Sequence, residues 1–228
     1  MMDKKKVCDT CIGTKIYNVP DVSGKVTLLE YCIPQFYKRN EIIFRQNTPS
    51  NDIIYVKEGL LKIVKEAQRG KQFIFKIIKG PAYVDLTSVF GKHILNYSAY
   101  ALTDTSICTI NKEWFFDTME NNGKFAKHIL EINCNEETTS TNRLLTLLRK
   151  QVTGRMADVL LFFSNNIFQS CEFDLPLTRE EMANFIGISK KSFIRTFNKF
   201  KNDKLISVNG KRIKIVREDL LIMLSRIG

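Results

Sequence analysis

Residues 177–200, LTREEMANFIGISKKSFIRTFNKF, constrain the fold more tightly than any other part of the 228-residue chain. Thr178 with Glu181 three positions on is a capping box, so a helix begins there. Gly187 can take a positive φ and permits a sharp turn, and Ser189 can cap a second helix. Met182, Ile186, Ile188 and Phe193 are apolar where two short helices need a shared core. Ala183 is small where those helices must approach closely. The spacing predicts a helix-turn-helix.

In its second helix Phe193, Phe197 and Phe200 fall on one face, and Lys191, Arg195, Asn198 and Asn202 on another. An aromatic inner face and a basic, amide-bearing outer face suit a helix that enters a DNA major groove. Arg195 can bond bidentately to a guanine edge, while Lys190, Lys199 and Lys201 can neutralise phosphates. Thr178, Ser189, Lys191 and Ser192 complete the expected contact set on the motif itself. The next segment, LISVNGKRIKIV, carries Asn209-Gly210, a strong hairpin turn signal. Lys211, Arg212 and Lys214 would make that hairpin a basic wing, with Lys211 as its expected DNA contact.

Charge supports the same partner. The chain has a formal net charge of +11. Between Gly187 and Arg217 ten Lys or Arg stand against one acid, Asp203, so this segment alone carries +9. Mixed acids would mark an ordinary solvated face; here they are nearly absent. An ordinary three-helix subdomain used for protein contacts is the alternative.

Residues 41–111 read as short strands rich in β-branched and aromatic residues, broken at Thr48-Pro49-Ser50, Glu58-Gly59, Arg69-Gly70 and Gly80-Pro81. In KQFIFKIIK, Phe73, Phe75 and Ile77 alternate with Gln72 and Lys76, the period of a half-buried strand. A jelly-roll is expected. Past Trp114 the pattern turns helical, and Gly123 separates a short helix from a long one ending near Lys150. That helix, roughly 40 Å at 1.5 Å per residue, outreaches one small sandwich. Its leucines at 144, 145, 147 and 148 suit a dimer seam and connector; a long surface helix is the alternative. TGRMADVLLFFSNNI reads as a further helix before the motif.

With these segments in order, the chain resembles the Crp/Fnr family of bacterial regulators over nearly its whole length. The carrying stretches are KEGLLKIV, QVTGRMADVLL, LTREEMANFIGISKKSFIRTF and LISVNGKRIKI. The resemblance implies an α+β protein: a cyclic-nucleotide-binding-like β-roll, a long dimerisation helix and a C-terminal winged helix-turn-helix. The expected division is 1–123 for the N-terminal segment and sensor, 124–150 for the dimerisation helix and connector, and 151–228 for the DNA reader. A homodimer on two-fold symmetric double-stranded DNA, working with RNA polymerase, is implied as well.

Two departures matter. Family members often carry glutamate in place of Lys191, and lysine cannot accept the hydrogen bond that glutamate takes from cytosine. Thr196 also stands where an apolar residue is common. Cyclic-nucleotide-binding members show Gly-Glu-Leu and Arg-Ser-Ala segments; here Val84-Asp85-Leu86 and Tyr97-Ser98-Ala99 stand instead. Tyr97 cannot supply the charge of a phosphate-clamping arginine, so cyclic AMP is not expected. Asp85, Tyr97 and Ser98, with Ser140 and Thr141 on the long helix, remain candidates for another effector. Ser140 and Thr141 could equally satisfy one another across a dimer.

Cys8 and Cys11 form a CxxC, and Cys108 falls where oxygen-sensing members place a cluster-ligating cysteine in a strand. The third cysteine expected soon after the CxxC is missing, with Cys32 its distant substitute, so an iron–sulfur cluster competes with incidental thiols. His93 is the candidate for haem. No His-x-His pair, phosphate-binding glycine loop or Ser-His-Asp set stands out, so an enzyme is not expected. A metal-dependent jelly-roll enzyme and an architectural nucleic-acid-binding protein without a sensor are the competing classes. With no apolar stretch of signal-peptide or membrane-spanning kind and no dense cysteine framework, the expected location is the cytoplasm, away from membranes.

Overall fold

The computed structural model describes residues 32–67, 72–91 and 93–228. Contacts divide the chain into two units, with 72–74 and Thr138–Gly228 forming the second.

The first unit is built on two four-stranded sheets. Its strands are β1 (Cys32–Tyr37), β2 (Ile42–Phe44), β3 (Asp52–Glu58), β4 (Leu60–Glu66), β5 (Gln72–Lys79), β6 (Ala82–Val84), β7 (Ser98–Ala101) and β8 (Thr105–Asn111). The sheet orders are β1-β8-β3-β6 and β2-β7-β4-β5. Side chains alternate across the first sheet, as a pleat requires. Val56, Val84 and Ile107 join Leu61, Ile63 and Ala99 in the core between the sheets. Their neighbours Tyr55, Tyr83 and Cys108 point the other way, into a second core. That core is closed by α1 (Leu86–Phe90), α2 (Lys112–Asn121) and the start of α3 (Gly123–Arg149), through Val89, Phe115, Phe125 and Ile129. The β3–β4 turn requires Gly59: its φ is +106°, and a Cβ would lie 2.8 Å from the Asp104 carbonyl oxygen.

Three features differ from the sequence reading. The strands begin earlier, at β1, where Pro34 masks the strand signal; among the described residues β1 pairs with β8 alone, and an edge is where a strand tolerates proline. The helix α1, five residues long, is too short to show a period. In β5 the buried residues are Ile74, Ile77 and Ile78, while Phe73 and Phe75 are half-buried. Phe75 instead stacks on Tyr97, ring centroids 4.9 Å apart.

The second unit contains the rest of α3, then α4 (Val152–Phe162) running into a π-helical turn (Phe163–Phe168), β9 (Glu172–Asp174), α5 (Arg179–Phe185) and α6 (Lys190–Asn202). The strands β10 (Ile206–Asn209) and β11 (Arg212–Ile215) and the helix α7 (Glu218–Ile227) follow. Strand order is β10-β11-β9, all antiparallel. Met156, Leu160, Phe163, Met182, Phe193, Phe197, Phe200, Ile213 and Leu221 are buried. β9 and α7 lie outside the sequence reading, which ended on the hairpin. A Cβ on Gly154 would lie 2.9 Å from the Gly228 backbone, so α4 and the end of α7 meet backbone to backbone.

Candidate nucleic-acid interface

The motif forms as its residues dictate. Thr178 Oγ1 accepts from the Glu181 amide at 3.2 Å, and Glu181 Oε2 accepts from the Thr178 amide at 2.8 Å, closing the capping box of α5. Gly187 has φ +66° at the turn. Ser189 Oγ accepts from the Ser192 amide at 3.1 Å and starts α6. The Arg179 guanidinium lies 4.7 Å from the Phe197 ring centroid, tying the two helices from outside.

The faces of α6 separate cleanly. Phe193, Thr196, Phe197 and Phe200 are buried, and Phe193 stacks on Phe197 with centroids 5.4 Å apart. Thr196 therefore packs alongside Phe197 at the position where an apolar residue is common. Lys190, Lys191, Arg195, Asn198, Lys199, Lys201 and Asn202 are exposed, Ser192 is half-buried, and Thr178 is exposed at the start of α5. Lys190 Nζ donates to Glu180 Oε2 at 2.9 Å; an exposed pair of this kind is weak enough for a phosphate to displace.

On the wing, Gly210 turns the hairpin at φ +60° and Lys211 stands exposed beside it. Arg212 Nε donates to Glu172 Oε1 at 2.6 Å, which holds the Glu172 carboxyl below its ordinary range; Lys214 Nζ is 4.0 Å from the same carboxylate. Glu172 thus offsets part of the charge that Arg212 and Lys214 bring to β11, and does not reach Lys211 in the turn through any of these contacts. Glu180 and Glu172 escaped the sequence reading because both lie outside the basic segment.

Two arginines also escaped it. The carbonyls at the end of α5 carry the negative end of the helix dipole. Arg143 Nη2 from α3 donates to the Phe185 carbonyl at 2.6 Å, and its guanidinium lies 3.9 Å from the Phe185 ring centroid. Burial lowers the Arg143 pKa to about 10. Arg155 Nη1 from α4 donates to the carbonyls of Ile186 at 3.1 Å and Gly187 at 3.2 Å, and its Nε to the Lys150 carbonyl at 3.1 Å. The α3–α4 elbow is held again where Lys150 Nζ donates to Asp158 Oδ2 at 2.8 Å, with the Ser225 hydroxyl on Oδ1. Periodicity gives no hint of the two arginine contacts, because their acceptors are backbone atoms.

In the first unit, Asp85 precedes α1 with φ 53° and accepts from the hydroxyls of Ser88 at 2.7 Å and Thr87 at 3.2 Å. Burial raises its pKa. Tyr97 is half-buried, its pKa raised by burial and by the Asp85 charge, and Lys65 Nζ lies 5.2 Å from its ring centroid. Ser98 is buried; its hydroxyl accepts from the Gln46 amide at 2.9 Å and donates to Glu66 Oε1 at 3.1 Å. These three candidates thus include one carboxylate, Asp85, and adjoin a second, Glu66. Ser140 and Thr141 lie on α3 in the second unit, half-buried and exposed respectively.

Cys8 and Cys11 lie outside the described residues. Cys32 and Cys108 are both buried in the core beneath α2. Among the described residues no group of three His, Cys, Asp or Glu side chains is placed to hold a metal ion. His93 Nδ1 lies 2.7 Å from the Val89 carbonyl and 3.0 Å from Lys112 Nζ. No helix among the described residues is long and apolar enough to cross a membrane.

A winged helix-turn-helix with a basic reading face, in one chain with a β-roll, defines a DNA-binding transcription regulator. Residues 34–122 match the cyclic nucleotide-binding domain family, and residues 154–224 the Crp-like helix-turn-helix domain family. The transcriptional activator protein anr of Pseudomonas aeruginosa is 26% identical over 183 residues, 78% of this chain and 75% of that protein. FnrL of Cereibacter sphaeroides, also a transcriptional activator, is 23% identical over 190 residues, 80% of this chain and 75% of its own. The structure of FixK2 from Bradyrhizobium japonicum shares the fold, with a TM-score of 0.77 at 16% identity, covering 86% of this chain and 98% of that one. The chain belongs to the Crp/Fnr family of transcription regulators.

Proposed function

We propose that this regulator binds a two-fold symmetric operator as a homodimer, in the cytoplasm, under an effector other than cyclic AMP and without catalysing a reaction. In this reading 1–123 sense, 124–150 dimerise and connect, and 151–228 read DNA before RNA polymerase. The observation that carries it is α6, whose buried face fills the core while its solvent face bears lysine, arginine and asparagine. Arg195 reads a guanine, Lys191 adds a donor at a base edge, and Thr178, Ser189, Lys190, Ser192, Lys199, Lys201 and Lys211 hold phosphates.

The effector assignment rests on charge. A cyclic phosphate beside Tyr97 and Ser98 would meet the Asp85 carboxylate and a tyrosine in place of a guanidinium. Titration calorimetry with cyclic AMP should therefore give no micromolar binding. Such binding would overturn the exclusion.

The groove assignment is tested by paired substitutions. Arg195→Ala should cost about 1–3 kcal/mol on a selected site and far less on random DNA. Lys199→Ala should weaken both alike and make the salt dependence shallower by about one phosphate. Equal losses on specific and random DNA for Arg195→Ala would refute groove reading.

A further inference from the structure

We infer that Ile194 is a specificity-determining residue that packs on the 5-methyl group of a thymine in the operator; this rests on the groove-reading role proposed for α6. Ile194 is the fifth residue of α6 and is 37% exposed. Every other exposed position of the helix is Lys, Arg or Asn, so Ile194 is its single exposed apolar side chain. It lies outside the inner face, which Phe193, Thr196, Phe197 and Phe200 fill. Helix propensity does not explain it either, because isoleucine is a poorer helix former than lysine or arginine.

Its neighbours fix where it points. Lys191 precedes it by three positions and Asn198 follows by four, so the three side chains form one stripe on the outer face. Lys191 and Ile194 lie in the first half of the helix, the part of a recognition helix that reaches base edges. Base pairs present donors, acceptors and one apolar group to the major groove, the thymine methyl. A branched alkyl side chain gains there by burying apolar surface. Against a guanine, adenine or cytosine edge it would strip water from polar atoms and return no hydrogen bond. Ile194 therefore selects for thymine by attraction and against the other bases by desolvation.

The test begins with selection of preferred duplexes from a randomised pool by the full-length chain. Each thymine of the selected site is then replaced singly by deoxyuridine, which removes only the methyl group. In each half-site one replacement should weaken wild-type binding about fourfold, the worth of one buried methyl, and leave Ile194→Ala unchanged. Ile194→Val, which keeps the branch, should retain the sensitivity. Cytosine at that position should bind poorly, and 5-methylcytosine should recover only the methyl contribution. If wild type and Ile194→Ala both bind the selected site specifically and respond alike to every uracil, the inference is wrong while groove reading stands. If selection yields no preferred sequence, groove reading itself fails.

Discussion

Asp85 shows how one side chain can set both a local backbone and a pH response. Its left-handed backbone is a conformation that asparagine and aspartate tolerate better than most residues. Its carboxylate is pushed up by burial, with the Ser88 and Thr87 hydroxyls offsetting part of the cost. The folded chain therefore holds this proton to higher pH than the unfolded chain. Over that window stability falls as pH rises, and above it the full cost remains. Asp85→Asn removes the charge while keeping one of the two acceptor oxygens, enough for one of the two hydroxyls. The variant should melt above wild type at pH 7, and the gap should close as pH falls below the ordinary carboxylate range. Melting curves across pH 3–8 measure this; a gap independent of pH would mean that burial of the charge is not the cause.

Between elements, the two arginines hold the end of α5. Arg143 and Arg155 together donate to three successive carbonyls, those of Phe185, Ile186 and Gly187. Each arginine comes from the helix on a different side of the α3–α4 elbow. Charge-assisted bonds of this kind contribute about 1.5–3 kcal/mol where they are partly buried. Arg155→Ala should lower stability by about 2 kcal/mol in denaturant unfolding. Arg143→Lys should recover little of the loss caused by Arg143→Ala, because an ammonium neither stacks on Phe185 as a plane nor forks. Equal stability of Arg143→Lys and wild type would show that only the charge matters.

Across the whole chain, the exposed leucines of α3 bear on assembly. Leu144 and Leu148, one turn apart, are 55% and 73% exposed. A two-fold seam there would bury them and set two recognition helices about 34 Å apart, one turn of DNA. Leu144→Glu with Leu148→Glu should shift sedimentation at micromolar concentration from dimer to monomer and weaken binding to a palindromic site at least tenfold relative to a half-site. Dimers that persist in the double variant would place the seam elsewhere. The total charge speaks to affinity alone: +11 draws any polyanion, and in the proposed reading specificity comes from the few side chains on α6.

What the sequence alone determined is local in origin. The capping box at Thr178, the turn at Gly187, the Ser189 cap and the two faces of α6 each depend on residues a few positions apart, so short-range spacing encodes them completely. The Asn209-Gly210 hairpin and the break at Glu58-Gly59 are legible for the same reason. Tertiary structure decided whatever needs a partner distant in sequence. Pro34 hides β1 until β8 offers an edge for it, and Phe75 leaves its expected alternation to stack on Tyr97. α7 becomes part of the second unit by closing on Gly154. Arg143 and Arg155 acquire a role only when folding brings main-chain carbonyls to them. Backbone acceptors are the same at every position, so no residue pattern can announce which of them a side chain will find.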